Sequence, residues 1–423
     1  MAPSTSAPIG WFRNTTPYIK AHRGSTFVIA LPGEASAEGH LPAFAQNIAL
    51  LSSLGVRIIV VFGCRAHINR RIADATAMAD IQAEVGAQRI ELEAALSMGM
   101  PNSPMQGAHL RVCGGNFVTA QPHGVVDGVD HQLTGQVRRI DATAIDAQLD
   151  AGNVVLLPPL GYSPTGEVFN LEREDVAIAT ARAVQAKKLI LLAPGAGIHD
   201  ADGTLLRQCV AGEVSAETFP DAAERTLIET ATRACQAGIA RCHIVSYRDA
   251  DALLTELFTT DGSGTLIASR PYEQSRWAAI DDVGGVIELI APLEASGVLL
   301  KRSRELLEAE IGQFRILERD GRLIACAALY PFPEQGSAEL ACIVTAPDYR
   351  GERRAQRLLA ELESEAESRG LREVFVLTTQ TAHWFMEQGF AEVPLDTLPP
   401  QRQALYNLQR NSKVFSKTLS GSA

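Results

Sequence analysis

Over residues 26–246 the chain repeats one pattern: a short run of Val, Ile and Leu, a turn, then a stretch whose apolar residues recur at helical spacing. The apolar runs lie at 26–31, 58–62, 110–112, 117–120, 154–157, 189–192 and 241–246, and the helical stretches at 43–54, 67–77, 81–98, 175–184 and 222–237. Strands that are apolar on both faces need cover on both, and helices between them return the chain for parallel pairing. The pattern therefore predicts an α/β fold with an open parallel sheet sandwiched by helices. Ligands of such sheets collect at the carboxyl ends of the strands. Those ends carry Pro32-Gly33-Glu34-Ala35, Gly63-Cys64-Arg65 and Gly161-Tyr162-x-x-Thr165-Gly166-Glu167-x-Phe169-Asn170. Ahead of the sheet, Trp11, Phe12, Tyr18 and Ile19 have the spacing of an arm or helix that packs on something else. The pattern lapses at Ser269-Arg270-Pro271. The expected division is an arm at 1–24, a first domain at 25–268, a linker at 269–274 and a second domain at 275–423.

The second domain is organised around residues 338–361. Ala338-Glu339-Leu340-Ala341-Cys342-Ile343-Val344 reads as a mostly buried strand that Pro347, lacking an N–H, must end. Beyond the turn, Ala355, Leu358, Leu359 and Leu362 mark an amphipathic helix whose first turn lies among Arg350, Arg353, Arg354 and Arg357. The first N–H groups of a helix have no intrahelical partner and carry the positive end of its dipole, so strand, basic turn and helix make a place for a phosphate group. A helix at 283–294, a basic turn at 299–304, strands at 315–319 and 323–330, and later strands at 374–378 and 392–393 complete the domain.

Composition bounds the function. The 423 residues are 46% hydrophobic with net charge −11, which argues against a general nucleic-acid or anionic-membrane surface. No apolar run approaches a membrane span, and the first residues lack a basic region followed by an apolar core, so a cytoplasmic protein is expected. Seven cysteines form no Cys-x-x-Cys pair, an odd number suits a reducing compartment, and the histidines show no ligand spacing, so no metal is expected.

The loop Arg350-Gly351-Glu352-Arg353-Arg354-Ala355 resembles the acetyl-CoA loop of the GCN5-related N-acetyltransferases, Arg/Gln-x-x-Gly-x-Gly/Ala, with Arg353 at the usual glycine. Arg276-x-Ala278-x-x-Asp281-Asp282-x-x-Gly285 and Gly389-Phe390 resemble that superfamily's first strand and its late Gly-Phe. The resemblance implies acetyl-CoA held by Cys342, Ile343, Val344, Arg350, Gly351, Arg353, Arg354 and Ala355. Acetyl transfer to an amine needs a base to take a proton from the ammonium. Glu339, the one carboxylate in an apolar strand, is the candidate, and the resemblance assigns the matching glutamate that role. A backbone donor at Cys342 or Ile343 would hold the oxyanion. Thr378 resembles the hydroxyl that protonates the leaving thiolate, with Tyr406 the alternative.

The glycine-bearing strand ends of the first domain resemble the amino-acid kinase family, nearest to acetylglutamate kinase. That family places a lysine just before its first Gly-Gly, where Ala30 and Pro32 stand here, and Ala193-Pro194 replace the acidic residue after the fourth strand. Phosphoryl transfer depends on positioned positive charge, so a kinase fold without kinase activity is expected. His243, Glu256 and the turn with Gly262 and Ser263, together with Tyr18, match the residues that bind L-arginine in arginine-regulated members.

The two halves together, with peptides such as Cys326-Ala327-Ala328-Leu329-Tyr330-Pro331-Phe332-Pro333-Glu334 and His383-Trp384-Phe385, resemble the bacterial N-acetylglutamate synthase family. The resemblance implies acetyl-CoA plus L-glutamate giving N-acetyl-L-glutamate and CoA by direct transfer, the first step of arginine biosynthesis, inhibited by L-arginine, in a homohexamer. Two substrate carboxylates call for two separated cations: Lys301 or Arg302, with Cys342, and Arg410 with Ser412. The alternatives are an acetylglutamate kinase with an accessory domain, and a non-catalytic arginine sensor.

Overall fold

A computed structural model describes residues 6–64, 73–99, 106–200, 202–213, 219, 221–259, 261–269, 273–319, 322–351, 353–406 and 412–419. The chain divides into two compact units, Met1–Pro271 and Tyr272–Ala423.

In the first unit, Thr26–Leu31 lies inside an eight-stranded sheet and is buried along its whole length. It pairs in parallel with Lys188–Ala193 on one side and Arg57–Phe62 on the other. The sheet continues past the first of these through Arg241–Ser246 and Thr265–Ala268 to Gln208–Val210, and past the second through Asn153–Leu157 to Arg111–Gly114. Because successive side chains point to opposite faces, Phe27, Ile29 and Leu31 enter one core with Phe44, Ile48 and Leu51, whereas Val28 and Ala30 enter the other with Val176, Ala177 and Ala231. Helix Ser6–His22 forms the arm, and His22 Nε2 donates to the Leu257 carbonyl at 2.8 Å. No helix among the described residues is long and apolar enough to cross a membrane.

Two sequence expectations change here. In place of separate helices at 67–77 and 81–98 there is one, Ala75–Leu96, because Asp74 caps it by accepting the Ala77 N–H at 2.7 Å; residues 67–72 lie outside the described set. The run at 117–120 does not join the parallel sheet. Its strand, Val118–Pro122, belongs to a four-stranded sheet with Val168–Asn170, Leu160–Tyr162 and Gly135–Ile140. Glycine is required inside it, since a Cβ at Gly161 would stand 2.6 Å from that of Ala120.

The second unit is built on a seven-stranded sheet ordered Glu273–Trp277, Phe314–Arg319, Arg322–Phe332, Ser337–Thr345, Glu373–Thr378, Lys413–Thr418 and Ala391–Val393. All neighbours are antiparallel except the central pair, Ser337–Thr345 with Glu373–Thr378. That parallel pairing runs from Ser337 with Glu373 to Glu339 with Phe375 and then ends, although both strands continue. The sheet thus opens into a V. Helix Arg354–Ser368 packs Leu358, Leu359 and Leu362 against one face, and helix Val283–Ala295 packs Val286 and Ile290 against the other. Strand Lys413–Thr418, hidden from sequence by its lysines, turns Val414 and Phe415 inward.

Candidate active site

The strand carrying Glu339 is bent where the V opens. Its register with Arg322–Phe332 slips between Cys326 and Ala328, opposite Cys342, which takes φ +51°. A left-handed residue in a strand is a bulge, and bulges redirect backbone groups away from the ladder. The Cys342–Val344 backbone thereby faces the gap left by the parting strands. Burial pushes the Cys342 thiol up to about 11, against the opposing pull of Arg302.

Beyond the strand, Arg350 and Gly351 lead into the helix, with Gly351 at φ +94° and Arg353 at φ +54°. Arg353 therefore adopts the left-handed conformation that the signature reserves for glycine, and the loop keeps its shape. It stands at the N-cap and makes no side-chain cap, at the positive end of the helix dipole. Arg350, Gly351 and Arg353 are exposed and Ala355 is half-buried. Arg354 corrects its sequence assignment: only 5% exposed, it turns inward, where Nε and Nη2 reach Glu273 at 2.9 and 2.5 Å and Nη1 donates to the Tyr349 carbonyl at 2.6 Å. Its side chain fixes the loop rather than meeting phosphate.

A cleft at Glu339 gathers Arg302, Glu339, Cys342, Tyr406 and Ser412. Ser303 caps helix Arg304–Glu310 by accepting the Leu306 N–H at 3.2 Å, which holds the preceding turn. Of the two candidates on that turn Arg302 enters the cleft. Lys301 is exposed and is not among its lining residues, a second correction. Burial disfavours the Arg302 cation, but Cys342, Tyr330 and Glu310 outweigh it and hold its pKa above the usual value. Tyr406 donates to the Ser412 carbonyl at 2.7 Å. Thr378 ends its strand next to Leu377, which lines the cleft, but is not itself among the lining residues. Its hydroxyl accepts the N–H of Thr381 at 3.0 Å and pairs with the Thr381 hydroxyl at 2.8 Å, so it serves the turn into helix Ala382–Glu387. Arg410 lies outside the described residues. Sequence reasoning missed Arg402, whose Nε and Nη2 grip Glu339 at 2.5 and 3.0 Å. It sits in a polar tail with no periodicity to flag it.

In the first unit, His243 and Glu256 are brought together and buried. His243 Nδ1 lies 2.6 Å from Glu256 Oε1, and its Nε2 lies 3.0 Å from Lys188 Nζ. Burial, then Lys188, lower the His243 pKa to about 4, with Glu256 opposing. The neutral ring thus accepts from Lys188 and donates to Glu256. The other carboxylate oxygen accepts the N–H groups of Ser263 and Gly264, both at 2.8 Å, and a Cβ on Gly262, at φ +65°, would stand 2.5 Å from it. Glu256 therefore spends one oxygen on His243 and the other on the turn, which differs from a carboxylate waiting for a guanidinium. Tyr18, on the arm, is half-buried against a core that includes Leu253 and Leu257. Lys188 was legible only as a lysine at the head of an otherwise apolar strand.

Residues 25–246 match the Amino acid kinase family, and residues 287–390 match the Acetyltransferase (GNAT) family. The chain is 50% identical to the Amino-acid acetyltransferase of Azotobacter vinelandii over 97% of this chain and 99% of that one. It is 49% identical to that of Pseudomonas aeruginosa, with the same coverage. Its structure is similar to that of N-acetylglutamate synthase from Neisseria gonorrhoeae complexed with coenzyme A and L-arginine, at 36% identity and TM-score 0.88 over 97% of this chain and 99% of that one. Against the same protein complexed with coenzyme A and N-acetyl-glutamate, coverage and identity are equal and the TM-score is 0.60.

Proposed function

The chain belongs to the family of bacterial amino-acid acetyltransferases, and we propose that it transfers the acetyl group of acetyl-CoA directly to the amino group of L-glutamate, releasing N-acetyl-L-glutamate and CoA, the opening step of arginine biosynthesis. The observation that carries this reading is the position of Glu339: it stands at the last paired residue before the V, in a cleft that also holds Arg302 and Arg402. A carboxylate there reaches an incoming ammonium on one side of a thioester lying in the gap.

In this mechanism the diphosphate of acetyl-CoA meets the N-terminal turn of Arg354–Ser368, where the helix dipole is positive, with Arg350, Gly351, Arg353 and Ala355 around it. The pantetheine arm enters the V along Cys342, Ile343 and Val344. Glu339 accepts the ammonium proton, directly or through water, and the amine attacks the thioester carbonyl. A backbone N–H at Cys342 or Ile343 stabilises the oxyanion. As the C–S bond breaks, Tyr406, which lines the cleft, turns its proton from the Ser412 carbonyl to the thiolate; Thr378 is the less favoured donor because it is not among the cleft's lining residues. Arg302 and Ser412 receive one of the acceptor's carboxylates, and an arginine of the C-terminal segment, Arg402 or Arg410, receives the other.

The first unit acts as the regulatory half. Ala30, only 1% exposed in its strand, supplies no cation for phosphoryl transfer. The turn braced by Glu256, with His243, Gly262, Ser263 and Tyr18, is the proposed seat of inhibitory L-arginine. The reading includes a cytoplasmic homohexamer, whose mass light scattering measures. The central test is CoA release by the purified chain. It should require L-glutamate and fall with L-arginine; release indifferent to L-glutamate would refute the assignment. Glu339→Gln should lower kcat by about 100-fold or more.

A further inference from the structure

We propose that Arg402 is a specificity-determining residue that locks Glu339 until an acceptor bearing two carboxylates enters the cleft. The proposal rests on the reading of Glu339 as the proton acceptor.

Both oxygens of Glu339 face the Arg402 guanidinium, Oε2 to Nε at 2.5 Å and Oε1 to Nη2 at 3.0 Å. The two side chains are 15% and 12% exposed, so separating them without a substitute leaves two poorly solvated charges. While the fork holds, the carboxylate is not presented to an ammonium. Among the described residues lining the cleft the charged ones are Arg302, Arg402 and Glu339, an excess of one positive charge. L-Glutamate near neutral pH brings two carboxylates and one ammonium, an excess of one negative charge. Its arrival permits one complete exchange: one carboxylate to Arg302, the other to Arg402, and the ammonium to the Glu339 thereby released. Glutamine offers a single carboxylate, so one guanidinium stays unmatched or the lock stays closed.

The movement is confined to a side chain. Helix Pro400–Ala404 is tethered by Gln403, whose amide donates to the carbonyls of Asp396 and Leu398 at 3.1 and 2.7 Å, so the guanidinium swings on a fixed backbone. A lock of this kind also protects the thioester. With Glu339 free and no acceptor present, water could attack the acetyl carbonyl; its proton would pass through Glu339 to the departing thiolate, leaving acetate and CoA.

The test is steady-state CoA release by the full chain carrying R402Q, R402K or E339Q. R402Q should raise the KM for L-glutamate by about 10- to 100-fold and narrow the preference for glutamate over glutamine by a similar factor. The KM for acetyl-CoA should stay within about twofold, and CoA release without any acceptor should rise above wild type. R402K keeps the charge but loses the fork, and should fall between; it carries the test where R402Q fails to fold. A glutamate KM and a glutamate-to-glutamine preference equal to wild type in these variants would overturn the proposal. Wild-type turnover in E339Q would instead remove the base, a separate failure that leaves the Arg402 KM effect to be explained as carboxylate binding without a lock.

Discussion

Arg354 and Glu273, 81 positions apart, form a buried two-pronged ion pair that joins the first residue of the loop helix to the first strand of the acetyltransferase sheet. The same guanidinium donates to the Tyr349 carbonyl and lies 5.5 Å from the centre of the Tyr349 ring. The turn proposed to meet a diphosphate is therefore held from beneath by this pair.

Removing half of a buried pair leaves an uncompensated charge, so Glu273→Gln should cost about 3 kcal/mol of stability in denaturant unfolding. In the enzyme that still folds, the KM for acetyl-CoA should rise at least fivefold or so while the KM for L-glutamate stays near wild type. Equal shifts in both would mean that Glu273 supports the unit as a whole and not the loop.

Arg353 occupies a backbone conformation that costs a side-chain-bearing residue about 1 kcal/mol relative to glycine. Arg353→Gly should raise the midpoint of thermal unfolding by about 3 °C. It should also weaken acetyl-CoA binding a few-fold at low salt, an effect that fades above about 0.5 M salt because an exposed cation's attraction is screened. A fall in the midpoint would show that Arg353 makes a stabilising contact worth more than the strain.

Gly262 admits the Glu256 carboxylate because it has no Cβ. Gly262→Ala should push that carboxylate from the Ser263 and Gly264 N–H groups and raise the L-arginine concentration for half-inhibition by about tenfold or more. An unaltered arginine response would take the turn out of the regulatory site.

His243 titrates near 4 in the folded chain, below the 6.5 of a free imidazole, because it is buried beside Lys188. Between those values the unfolded chain binds the proton and the folded one does not, so this stability is present above about pH 6.5 and is lost as pH falls toward 4. Glu256, also held below its ordinary value, loses its contribution in the same direction at lower pH; its burial opposes the shift, and His243 and the turn N–H groups outweigh it. From pH 7 to pH 5 the His243 share is on the order of 2 kcal/mol. Urea unfolding of His243→Gln should show a correspondingly smaller loss over that interval, whereas an identical loss would assign the pH sensitivity elsewhere.

The parallel sheet was legible because strands such as Leu189–Leu192 are apolar on both faces, and Glu339 because it is the one carboxylate within such a run. What sequence could not supply depended on pairs distant along the chain. Arg402 lies 63 positions from Glu339 in a polar tail, and Lys188 is 55 from His243. Helix Ala75–Leu96 stands where periodicity suggested two, its start fixed by one capping carboxylate. Arg354 and Lys301 looked like their neighbours Arg353 and Arg302. Burial separated them, and burial follows from which way a turn faces, which the order of residues alone does not state.

The bulge at Cys342 also bears on reaction order. A sulfur kept protonated to about pH 11 is a poor nucleophile, so the enzyme has no means there of taking the acetyl group onto itself first. The direct transfer proposed above brings donor and acceptor together in one ternary complex, and labelled CoA should then exchange into acetyl-CoA only when the amino acid or its product is present.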